Sequence, residues 1–265
     1  MTEWSPWEAG KLRRVELPRT DAVRFIAPLR EGGSLPALVE TSDSGMHVLK
    51  LRGAAQGIKS LVAEVIAGEL ARALGLSVPD LKLVELDPGI GKNEPDEELR
   101  ELLVRSAGLN VGVDFLPSAL PFNPAAGSAT ESSLAANIVW FDALVMNVDR
   151  TARNPNMLKW HDRLWLIDHG ASLYLHHRPR VSERDRDPFP QIKDHVLLPY
   201  AGSIREADAR LLPRVTKTLL TDIVSAVPRD WLDGWGVSDY VDHLGARLAE
   251  PRAFVQEAED ARERR

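Results

Sequence analysis

The period of the hydrophobic pattern changes partway along the chain, and that change restricts the fold more than any single residue does. Segments 22–29, 35–41 and 46–51 are short apolar or β-branched runs, and the gaps between them, 30–34 and 42–45, contain glycine. Runs and gaps of this length read as strands joined in an antiparallel meander. A helical spacing follows over 58–74, where Val62, Ile66, Leu70 and Leu74 recur, Gly75 stops the pattern and Pro79 lies just beyond. Segments 81–86 and 110–115 read again as strands. Between them, 87–100 is polar and acidic, suiting a solvated loop or the start of an exposed helix.

Residues 117–133 are rich in Pro, Ala, Gly, Ser and Thr and read as a connector. Beyond it, 134–146 is apolar nearly all round, as a buried helix is. Segments 157–160 and 164–167 flank the turn at 161–163 and predict a second hairpin. From about residue 205 the pattern is helical, with the last ten, mostly charged residues expected to fray. Strands precede helices, which makes the fold class α+β. The expected layout is two-lobed: an antiparallel sheet lobe with one long helix over 1–120, and a mainly helical lobe over 121–265. Such a layout offers a cleft for a ligand.

Bulk properties exclude several classes. The chain of 265 residues is 44% hydrophobic, enough for real cores. It has no cysteine, so disulfides and thiol catalysis are ruled out. The net charge is −6 with no Lys/Arg-rich block, which gives nucleic-acid binding no support. No run approaches the ~18 apolar residues of a membrane helix. The N-terminus has no basic segment leading into an apolar one. A cytoplasmic chain without a membrane partner is the expectation.

The segment from Asn147 to Leu158, followed by Leu164 to Gly170, carries the chemistry. Asp149 stands at the end of the buried helix, Asn154 just before the hairpin and Asp168 just after it. A hairpin brings its ends together, so Asn154 and Asp168 can meet at one point. A carboxylate with an amide oxygen is a hard-oxygen pair that suits Mg²⁺, an ion that takes its other oxygens from water and phosphates. Asp149, beside that point but not needed as a ligand, has the place of a base that accepts a hydroxyl proton. Lys50, ending the strand at 46–51, can point into the cleft as a cation for phosphate. Glu64 lies on the small-residue face of Ala67, Gly68 and Ala71, and a lone acid there wants a counter-charge, for which Lys50 is the candidate. Gly32, Gly33 and Ser34 lie between the first two strands, where backbone amides can close over phosphates.

Taken singly, each residue has a plainer explanation. Asp149 can cap a turn, Asn154 before Pro155 can open a loop, Lys50 can be a surface lysine, and Gly32-Gly33 can be an ordinary hairpin turn. The His176-His177 pair reads as solvated loop for want of a third metal ligand. The arginine-bearing stretch 178–194 either shapes an acceptor site or is a mobile surface loop. The order and spacing of the set are what turn chemistry alone does not predict.

On these residues the chain resembles the HipA-like kinase family. The likeness rests on Asp149-Arg150 with Asn154, on Ile167-Asp168-His169-Gly170, on Val48-Leu49-Lys50 with the turn from Gly53 to Gly57, and on Leu61-Val62-Ala63-Glu64. It implies a kinase-like fold distantly similar to protein and phosphatidylinositol kinases, with ATP and Mg²⁺ as cofactors and Ser/Thr phosphorylation of a protein. By motif position Asp149 is the base, Asn154 and Asp168 are metal ligands, and Lys50 contacts phosphate. Ser34 falls in a loop that relatives can autophosphorylate. His169 replaces the phenylalanine of ordinary protein kinases. The chain is shorter than the toxin that names the family, so an antitoxin partner is not carried over. A small-molecule or lipid-head-group kinase, and a non-catalytic nucleotide-binding regulatory domain, stand as alternatives, with the acceptor unknown.

Overall fold

The computed structural model describes residues 15–29, 35–54, 57–124 and 130–265. Strands β1 (Arg19–Pro28), β2 (Ala37–Thr41), β3 (Met46–Lys50), β4 (Leu81–Leu86) and β5 (Gly108–Asp114) form a closed barrel in the order β1-β2-β3-β5-β4. The first three pair antiparallel, as their spacing predicts. The expected antiparallel sheet is nevertheless corrected to a closed barrel, because β1 also runs parallel to β4, pairing Arg19 with Leu83 and Asp21 with Glu85. Two register irregularities in β1, between Ala22 and Arg24 and between Phe25 and Ala27, bend the ten-residue strand enough to close the sheet. Closure leaves no unpaired edge.

Helix α1 (Ile58–Ala73) starts on Gly57, whose φ of 68° belongs to the region glycine enters without penalty. Its buried residues run all round the axis, because it lies between the barrel and the rest of the chain. It shares one continuous apolar cluster with Leu81 and Leu83 of β4, with Val111 of β5 and with the C-terminal helices. A second cluster fills the barrel with Val39, Leu49 and Val84, sealed by Leu99, Leu102 and Leu103 of α2 (Glu97–Arg105). Asp96 caps that helix by accepting from the amides of Glu98 and Leu99.

Part of the expected connector is a strand: β6 (Leu120–Pro121) pairs with β7 (Met157–Trp160), which pairs with β8 (Arg163–Leu166). The β7–β8 turn places His161 and Asp162 at φ 46° and 58°, the left-handed pair of a tight hairpin. Helix α3 (Ser132–Val145) is buried on every side and ends on Met146 in the left-handed conformation. Helices α4 (Ile204–Leu211), α5 (Lys217–Ser225), α6 (Val237–Leu248) and α7 (Ala253–Glu263) complete the chain. Among the described residues no helix is long and apolar enough to cross a membrane.

Three expectations are corrected by packing. The charged C-terminal run does not fray: α7 continues to Glu263, because Phe254, Val255, Ala258 and Ala261 make one apolar stripe among the charges. His176 is not solvated. It is buried, and its Nδ1 lies 2.9 Å from the Tyr240 hydroxyl. The stretch after residue 178 is folded into short turns, pinned by Arg180 on Asp185 at 2.6 Å, by His243 on Asp185 at 2.7 Å, and by buried Phe189 and Ile192.

Phe254 is 1% exposed, with its ring edge-on to Trp140 at 5.7 Å. Replacing Phe254 with Ala is expected to cost about 3–5 kcal/mol in urea unfolding. A loss under about 1 kcal/mol, the usual effect at a surface site, would mean that α7 is not docked.

Candidate active site

The site is built around one ammonium group. Strand β3 alternates, with Leu49 inside the barrel and Lys50 on the opposite face, toward α1. The Lys50 Nζ lies 2.8 Å from Asp168 Oδ1, and the lysine side chain is only 14% exposed. Burial pushes its pKa down, but the carboxylates of Glu64, Asp168 and Asp149 outweigh that and hold it above the ordinary lysine value. Three acids from three parts of the chain therefore face the same cation.

Glu64 does this differently from the expected ion pair. Its Oε2 accepts a hydrogen bond from the backbone N–H of His169 at 2.8 Å. Burial raises its pKa, and the Lys50 charge and His169 more than reverse that, so the carboxylate sits below its ordinary value and stays ionised. Glu64 thus compensates Lys50 through space while its hydrogen bond holds the chain just after Asp168. Asp168 itself has φ 57°, a left-handed conformation that Asp tolerates better than most residues. A side chain on Gly170 would stand 3.4 Å from Ser60, so this motif lies against the first turn of α1. His169 is fully buried, edge-on to Phe141 at 6.0 Å.

Asp149 is oriented from three sides. Its N–H donates to Asn147 Oδ1 at 3.1 Å. Its Oδ2 accepts from Asn154 Nδ2 at 2.7 Å and from Asn156 Nδ2 at 3.2 Å. The bonds to Oδ2 fix the carboxylate plane. Beneath the loop, Arg150 is 1% exposed, its Nε 2.6 Å from Asp142 Oδ2. Its Nη1 donates to the carbonyls of Asn156 and Ile167, and Ile167 N donates back to Asn156 O at 3.0 Å. Arg150 thereby ties the loop bearing Asp149 and Asn154 to the strand that delivers Asp168.

Lys50, Glu64, Asp149 and Asp168 are therefore gathered at one place, and Asn154 joins them through Asp149. Gly32, Gly33 and Ser34 lie outside the described residues, as do Ala55 and Gln56 of the turn after Lys50. Sequence reasoning missed Asn156, Asp142 and His195. Asp142 carried a signal: it is a lone acid in a helix apolar nearly all round, the same anomaly that singled out Glu64. Asn156 follows Asn154 by two residues, and that repeat could have flagged it. His195 carried no signal.

The donor set fits a hard divalent ion. Asp168 is 37% exposed and uses Oδ1 toward Lys50. Asn154 uses its Nδ2 toward Asp149, which turns its amide oxygen away from that carboxylate. Among the described residues no group of three His, Asp or Glu side chains could hold a metal alone. Such an ion would have to complete its shell from water and ligand oxygens, which is the habit of Mg²⁺.

Two solved kinases share this fold. The proinflammatory kinase CtkA of Helicobacter pylori matches with a TM-score of 0.55 at 12% identity, over 93% of this chain and 99% of its own. The Golgi casein kinase with Mn/ADP bound matches with a TM-score of 0.51 at 11% identity, over 94% of this chain and 74% of its own. At such identities the likeness is one of fold, and that fold is kinase-like. A family model described as HipA-like kinase matches residues 22–235, and the chain belongs to the HipA-like kinase family. No curated protein sequence gives a match.

Arg150 and Asp142 are both inaccessible, with side-chain exposure of 0% on each. Arg150→Ala is expected to cost about 3–5 kcal/mol in urea unfolding, because it strands the Asp142 charge. A cost below about 1 kcal/mol, typical of an exposed pair, would show that the ion pair does not organise the loop.

Proposed function

We propose that the chain is an ATP- and Mg²⁺-dependent phosphotransferase whose acceptor is a serine or threonine hydroxyl on a protein. The observation that carries this is the convergence of Lys50, Asp168 and Asp149, with Asp149 held by two asparagine amides. The barrel side, residues 1–120, serves as the nucleotide-binding lobe, and residues 121–265 supply the base and metal ligands. Asn154 and Asp168 would hold the ion, which supplies neutralisation and alignment of the nucleotide phosphates. The Golgi casein kinase structure with Mn/ADP supports nucleotide and divalent metal use on this fold.

Lys50 places its ammonium against a phosphate oxygen. Asp149 takes the proton of the acceptor hydroxyl as that oxygen bonds to the γ-phosphorus, and the bond to the β–γ bridging oxygen breaks to release ADP. The same orienting amides weigh against a purely regulatory nucleotide binder, which has no use for an aligned carboxylate beside the phosphates. A small-molecule or lipid-head-group acceptor is separated from a protein by the chemical form of the labelled product.

The first test is transfer from γ-labelled ATP with Mg²⁺ and cell extract as acceptor. Asp149→Ala is expected to lower kcat at least ~100-fold with nucleotide affinity changed less than ~3-fold. Wild-type nucleotide binding without transfer to any acceptor would refute the enzyme reading. The second test uses the sharing of Asp168 Oδ1 with Lys50. Lys50→Met is expected to tighten binding of Mn²⁺ alone, since it frees a ligand oxygen and removes a repelling charge, and to weaken ADP binding in its presence. Titration calorimetry reads both, and unchanged affinity for the ion alone would remove Asp168 from its ligand role.

A further inference from the structure

We propose that His195 is a positioning residue of the transfer reaction, a clasp that holds the chain around 189–198 against the loop carrying Asp149. This rests on the phosphotransferase reading and adds to it a side chain from outside every motif noted above.

The clasp is built on Asp142, which is wholly buried in α3. Its carboxylate meets Arg150 Nε at 2.6 Å, His195 Nε2 at 2.8 Å and Asn147 Nδ2 at 3.0 Å. The backbone amide of Leu197 donates to His195 Nδ1 at 3.0 Å. An N–H can donate only to a lone pair, so Nδ1 is unprotonated and the ring proton sits on Nε2, where it donates to Asp142. Burial lowers the imidazole pKa, which agrees with a neutral ring. Asp142, Arg150 and His195 then sum to zero charge in a place where a net charge would be costly.

Asp142 already has Arg150 and Asn147, so its charge is answered without His195. What His195 adds is reach. Val196 N donates to Arg150 O at 3.1 Å, and Thr151 forms an antiparallel bridge with His195. Arg150 and Thr151 are the two residues directly after Asp149. On the far side, Phe189, Ile192, Leu197 and Leu198 are buried, which anchors the segment in the core. Upstream, Arg247 donates to the carbonyl of Asp187 at 3.0 Å and to those of Ala143 and Leu144 at 2.9 Å each. The segment around 189–198 is therefore fixed to the base-bearing loop, and the imidazole is a side-chain link between them. Positioning of this kind acts on kcat, because small displacements of a base change the reacting geometry more than they change nucleotide binding.

The experiment compares His195→Gln with His195→Asn. Gln places an amide N–H near the position of Nε2, in reach of Asp142, while Asn can present its Oδ1 to the Leu197 amide but is too short to reach Asp142. His195→Asn is expected to lower kcat about 10- to 100-fold with KM for ATP changed less than about 3-fold, and His195→Gln to recover most of that loss. Hydrogen exchange of the amides at 147–156 should quicken in the Asn variant, stay near wild type in the Gln variant, and be unchanged in α1 in both. Two variants of equal kcat, or unaltered exchange at 147–156 in both, overturn the proposal. So does a nitrogen-15 spectrum of the wild-type protein that places the ring proton on Nδ1. A wild type that transfers no phosphate overturns the enzyme reading instead, while exchange and the tautomer still decide whether the clasp exists.

Discussion

An ammonium group among apolar side chains is unfavourable unless opposite charge surrounds it, and the arrangement about Lys50 answers that demand from three directions. Asp168 touches it, while Glu64 and Asp149 act at longer range. Each acid comes from a different element: α1, the loop after α3, and the strand end after β8. Lys50 and Glu64 are buried, and each keeps its charge only because opposite charge faces it. The barrel, α1 and the loops bearing Asp149 and Asp168 must therefore assemble together for Lys50 and Glu64 to be buried. The continuous apolar cluster running from β4 and β5 through α1 to the C-terminal helices supplies the burial that makes this assembly favourable.

Local features of this architecture are written plainly in the sequence. The 3.6 period predicts a helix over 58–74, and α1 spans Ile58–Ala73. Strand β4 falls where its apolar run does, and the hairpin closes through His161 and Asp162. Features set by distant pairing were not visible. The parallel contact of β1 with β4 depends on bulges that bend β1, and no residue type announces them. Strand β6 hides in the Pro-rich connector, because an edge strand tolerates proline at a non-bonded position. Helix α7 was masked by its charges, although its apolar stripe is present at helical spacing.

The site divides the same way. That Lys50, Glu64, Asp149, Asn154 and Asp168 lie near one another was legible because their spacing relative to strands and turns limits where each can go. The pairing within the set was not determined by spacing. A lone buried acid needs a positive or N–H partner, but sequence cannot say which. Glu64 meets that need with a backbone amide of the chain after Asp168, not by touching Lys50. The substitution of histidine for phenylalanine after that aspartate fits the same picture. The backbone of His169 is held by Glu64, and its ring is enclosed against Phe141, so the contact does not depend on an aromatic hydrocarbon at this place.

Two buried carboxylates thus do parallel work on opposite sides of the site. Glu64, in α1, holds the backbone that presents Asp168. Asp142, in α3, holds through Arg150 and Asn147 the loop that presents Asp149. Both helices are mostly apolar, and each carries a buried acid, Glu64 or Asp142, whose charge is matched only in the folded chain. An acid in such a helix is destabilising until its partners arrive, which makes wrong packings of these loops costly and the observed one specific. The side chains of Asp149 and Asp168 can then remain partly exposed, because the buried charges that order their loops lie one layer deeper.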